Sequence, residues 1–95
     1  MYRQGEVLII PMQKGEKITG NLKENRVIAE GEAMGHLHEL EQGELYVSGG
    51  QMFLKADKPS VLKHPEHGQM TIPKGRYEII IQQEYEEGGV RNVVD

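Results

Sequence analysis

Short apolar runs punctuated by glycine and proline recur from one end of the chain to the other, and their spacing predicts strands rather than helices. Tyr2 to Ile10 reads as a central opening strand closed by Pro11, with Gly5 permitting an irregular start. A polar connector, Gln13 to Lys17, leads through Gly20-Asn21 to a shorter run around Val27 and Ile28, and Gly31-Glu32 then allows a turn. Glu41-Gln42-Gly43-Glu44 has hairpin character ahead of Leu45-Tyr46-Val47, and Ser48-Gly49-Gly50-Gln51 forms a second turn before Met52-Phe53-Leu54-Lys55. The two turns together suggest a meander. Ala56 to Pro59 breaks the chain again before Ser60 to His64, and Pro65 and Gly68 put His67 in a turn ahead of Met70-Thr71-Ile72.

The longest periodic run is Tyr77 to Tyr85, in which Tyr77, Ile79, Ile81, Gln83 and Tyr85 share one side, expected to face the core, opposite Glu78, Ile80, Gln82 and Glu84. Within Val90 to Asp95, Val93-Val94 is expected to add a final edge strand or to pack on a neighbour. No stretch has clean helical periodicity, and 12 glycines oppose long helices. The expectation is a single all-β domain over residues 1–95, a compact, mainly antiparallel small barrel or sandwich of roughly eight to ten strands, in which closure would protect the sheet edges.

Composition narrows the function. With 95 residues, no Trp and one Phe, the core must rest on Ile, Val, Leu and Met, and oligomerisation would add burial, so a homo-oligomer is expected. The absence of Cys removes disulfides, thiolate ligands and cysteine nucleophiles. A formal charge of -4, with lysines and arginines scattered singly, disfavours nucleic acid as the main partner. Val7 to Ile10, the longest apolar run, is far short of a membrane span, and the amino terminus lacks a signal pattern, so a cytoplasmic protein is expected.

Chemistry concentrates in the histidines, all four of which fall in two pairs, His36 with His38 and His64 with His67. On a strand, His36 and His38 point to one face. Two imidazoles hold a cation insecurely, and the second pair would complete a site, with Glu41, Glu66 or Glu44 able to add a carboxylate. Nitrogen and oxygen donors without thiolate suit a divalent Zn, Ni, Fe or Mn ion. The leading expectation is therefore a metal-binding β domain carrying His36, His38, His64 and His67 as ligands. Two other readings stand beside it: ordinary structural histidines with local backbone hydrogen bonds, and acid–base or anion-binding chemistry. A structural or protein-interaction module, joined as a homodimer through a sheet edge or the Val90 to Asp95 tail, or taking an unknown protein partner or small ligand, is the alternative function. No convincing nucleophile assigns an enzymatic activity. Tyr77 and Tyr85 read as core or interface residues, and the methionines as packing.

Gly31 through His36-Leu37-His38, with Gly68 and Pro73-Lys74-Gly75 downstream, resembles an abbreviated form of the two cupin motifs. The resemblance implies a divalent metal inside a small barrel, with His36 and His38 as the first motif's His pair, Pro73-Lys74-Gly75 as the turn of the second, and a minimal cupin-like metal enzyme as one outcome. Glu41 follows His38 too early and Glu44 too late for the usual carboxylate, and Glu78 stands where the second motif's His belongs. The chain from Tyr2-Arg3-Gln4-Gly5 to His64-Pro65-Glu66-His67-Gly68 also resembles small bacterial or phage proteins of unassigned function, which implies no activity.

Overall fold

Apolar side chains alternating on short strands can be covered only by a second layer, and the chain meets this need by crossing repeatedly between two sheets. The structure, a computed structural model, describes residues 1–30, 37–86 and 89–92, with side chains over 1–29 and 37–82. Its strands are β1 (Tyr2–Gln4), β2 (Val7–Pro11), β3 (Asn21–Leu22), β4 (Val27–Glu30), β5 (Leu37–Leu40), β6 (Glu44–Ser48), β7 (Gln51–Ala56), β8 (Ser60–Lys63), β9 (Met70–Ile72), β10 (Gly75–Ile81), β11 (Gln83–Glu86) and β12 (Gly89–Asn92). One sheet runs in the order β1-β2-β10-β7-β6-β3 and a second in the order β4-β5-β8-β9, while β11 and β12 form a separate hairpin. Every pairing is antiparallel. No pairing joins the two larger sheets among the described residues, so the domain is sandwich-like and the closed barrel is not found.

The core lies where the inner faces meet. Ile9 from β2, Leu45 from β6 and Leu54 from β7 oppose Leu40, Leu62 and Ile72 from the smaller sheet, all essentially removed from water. Burying side chains of this size contributes roughly 1.5–3 kcal/mol each. The β6–β7 hairpin follows the sequence reading: Gly49 and Gly50 occupy a two-residue loop at φ 50° and 87°, which side chains bearing a Cβ resist.

Three local expectations change. Tyr2 to Ile10 is two strands, because Gly5 at φ 57° turns the chain into a tight hairpin with Gln4 opposite Val7. Glu41 to Glu44 is no hairpin: β5 and β6 lie in different sheets, and Gly43, φ 104° with its Cα backed against Leu54 and Ser60, turns the chain across the sandwich. The run from Tyr77 divides at Gln82, whose amide donates to the Glu6 carbonyl where β2 begins. Tyr77 and Ile79 face the core as their period requires, but Ile81 is 42% exposed because the sheet ends there. β12 pairs with β11, and the expected strand at Val93-Val94 lies outside the described residues.

Candidate functional site

The site lies where the β1–β2 hairpin of the larger sheet reaches the end of β5 and β8 in the smaller one. On β5, alternation turns His38 and Leu40 inward and leaves Leu37 and Glu39 half-buried. On β8 the same alternation buries Ser60 and Leu62, and His64, one residue past the strand, continues on that face. Glu39 pairs with Lys63 and Leu40 with Leu62, and the next step of this register sets His38 opposite His64. Their ring centroids are 4.3 Å apart. Cross-strand neighbours on one face approach at this scale.

His67 joins through a turn that His64 itself organises. His64 Nδ1 accepts backbone N–H bonds from Glu66 and His67, each at 3.0 Å. A nitrogen accepting hydrogen bonds carries no hydrogen, so His64 is the neutral ring protonated on Nε2. The turn brings the His67 ring to 4.4 Å from His64 and 5.9 Å from His38. The structural role foreseen for the second pair is thus real for His64.

Two residues that the sequence reading missed complete the cluster. Gln4 Oε1 lies 2.8 Å from His38 Nδ1, and Glu6 Oε1 lies 3.2 Å from His38 Nε2. His38 is 0% exposed, Gln4 2% and Glu6 3%, so this polar chain is sealed from water. The signal for Glu6 was a carboxylate set between Gly5 and the most apolar run of the chain, in a place where a tight hairpin turns it inward. Gln4 shows no signal until the hairpin is known. The carboxylate beside His38 Nε2 belongs to Glu6, which was not among the expected Glu41, Glu44 and Glu66.

Histidines 38, 64 and 67 therefore come together, and His36 lies outside the described residues. They meet as packed rings, with both His38 nitrogens engaged by Gln4 and Glu6 and His64 Nδ1 by backbone amides. Among the described residues no group of three or more His, Cys, Asp or Glu side chains is arranged to hold a metal ion. The expectation of a divalent Zn, Ni, Fe or Mn ion is overturned, and with it the metal-binding domain and the minimal cupin-like metal enzyme. Glu78, at the position of the second cupin motif's His, sits half-exposed on the side of β10 opposite Tyr77 and Ile79.

A cleft of about 450 Å³ opens beside the cluster, lined by Leu37, Glu39, Lys63, His64, Pro65 and Gln69. His64 belongs to both the cleft wall and the buried cluster. Among the described residues no helix is long and apolar enough to cross a membrane. No curated protein and no solved structure gives a significant match to the chain. One family model does match, over residues 3–82, which takes in Gln4, Glu6, His38, His64 and His67. The chain belongs to that family, described as Domain of unknown function (DUF8820).

Proposed function

We propose that the domain binds a small polar molecule in the cleft, with His64 as the wall between that molecule and the buried Glu6–His38 pair. The observation that carries this reading is the double position of His64, in the cleft wall and 4.3 Å from the buried His38 ring. Glu39 and Lys63 offer the cleft a carboxylate and an ammonium, so a molecule bearing one group of each charge fits it. Free amino acids and short peptides, titrated into isotope-labelled protein, test this. The reading expects saturable shifts at His64, Lys63 and Glu39 that His64→Phe abolishes. Shifts spread over the surface, or unchanged by that variant, contradict it.

A homo-oligomer is a second proposal, favoured by Ile80 and Ile81 at 40% and 42% exposure beside Val47 and Met52. Its solution mass, compared with that of Ile81→Lys, decides it: a dimer that becomes a monomer supports the patch, and a monomeric wild type removes the proposal.

A further inference from the structure

Gln4 is a buried amide with two chemically different ends, and the surroundings settle which end faces which way. Its Nε2 donates to the Leu62 carbonyl at 3.1 Å and to the Gly68 carbonyl at 2.7 Å. Carbonyl oxygens only accept, so the amide cannot be reversed without setting its own oxygen against two others. Oε1 is thereby committed to His38, and at 2.8 Å from an acceptor His38 Nδ1 must carry a hydrogen. The constraint passes along the ring. In a neutral imidazole with Nδ1–H, the other nitrogen is a lone pair, and here it faces Glu6 Oε1 at 3.2 Å. A lone pair facing a bare carboxylate oxygen at side-chain exposures of 0% and 4% would be two acceptors in contact, away from water.

We infer that Gln4 is a positioning residue that fixes the tautomer of His38 and so requires a second hydrogen between His38 Nε2 and Glu6 Oε1. The hydrogen has two places to rest. On oxygen, Glu6 is a neutral acid donating to neutral His38; on nitrogen, a carboxylate faces an imidazolium. Transfer moves one proton along one hydrogen bond, breaking O–H as N–H forms, and the pair's net charge is zero on both sides. Gln4 accordingly turns an ordinary buried histidine into one half of a proton-holding pair. The tautomer rests only on the hydrogen-bond geometry and not on the cleft function proposed above.

Ring-nitrogen NMR of uniformly labelled protein tests the assignment in the wild type, Gln4→Glu and Gln4→Met. In the wild type, His38 Nδ1 is expected to show a directly bonded hydrogen. Gln4→Glu, with its carboxyl hydrogen turned to the Leu62 and Gly68 carbonyls, keeps an acceptor for Nδ1 and is expected to keep that signal. Gln4→Met removes the acceptor and should shift the ratio of Nδ1–H to Nε2–H rings at least tenfold towards Nε2–H. A wild-type His38 lacking a hydrogen on Nδ1 overturns the inference, as does a folded Gln4→Met protein with unchanged tautomer. Should Gln4→Met fail to fold, the wild type and Gln4→Glu still decide. A purely packing role would alter stability and leave the tautomer alone. Because no cleft ligand enters this experiment, its failure is distinct from failure of the ligand titration.

Discussion

Glu6 and His38 show how much a single hydrogen matters once water is excluded. If the pair shares one, Glu6→Gln is nearly isosteric and its amide can donate to the lone pair on Nε2, so urea unfolding should show a loss below about 1 kcal/mol. Glu6→Ala leaves His38 Nε2 without that partner and should cost about 1–3 kcal/mol. Equal losses for the two variants would contradict the arrangement. At this scale the sequence was legible in part. The two histidine pairs pointed to His38, His64 and His67, since every imidazole of a small chain gathered in two places. Their roles were not legible, because whether an imidazole nitrogen is free or engaged depends on partners from a hairpin more than 30 residues earlier in the chain. Gln4 and Glu6 are buried by the Gly5 turn, and the partners that the turn brings to them lie far along the chain.

Elements were easier to read than their connections. Period-two alternation located most strands, since a strand with one covered face must alternate wherever the chain goes next. Connections were harder: Gly43 and the Gly49-Gly50 pair both punctuate the chain, yet one sends it across the sandwich and the other back along the same sheet. The difference lies in what packs behind the turn, and that is tertiary information. Gly20 gives a sharp test at this scale. It sits at φ 96°, and a Cβ there would collide with the Val47 carbonyl oxygen. Gly20→Ala should cost about 2 kcal/mol or more and release the short β3 strand from β6, read as lost protection of the Lys23 amide, which donates to the Leu45 carbonyl. Gly15, at φ 94° with nothing within 4 Å, is the control, and Gly15→Ala should cost only the backbone strain, about 1 kcal/mol. A Gly20→Ala protein as stable as Gly15→Ala would show that β3 is not held as described.

Among the described residues the chain crosses between the two larger sheets four times, and this brings residues 4, 6, 38, 64 and 67 together. Global stability carries its own signature in Tyr77. Burial, followed by the neighbouring Tyr2, raises the Tyr77 hydroxyl above the ordinary tyrosine value of 10.0, and the hydroxyl donates to the Pro73 carbonyl at 2.7 Å. The unfolded chain therefore loses this proton first as pH rises. The contribution of Tyr77 is complete below pH 10.0 and is lost above it, with a slope of at most about 1.4 kcal/mol per pH unit. Tyr77→Phe should lower stability near neutral pH by about 1 kcal/mol and flatten the alkaline slope; a slope equal to the wild type's would place the effect elsewhere. The most direct test of the site is neutron diffraction from perdeuterated wild-type crystals. The account predicts deuterium on His38 Nδ1, directed at Gln4 Oε1, and a second deuterium on the line between His38 Nε2 and Glu6 Oε1. A single deuterium on the ring, carried by Nε2 with Nδ1 bare, would contradict it.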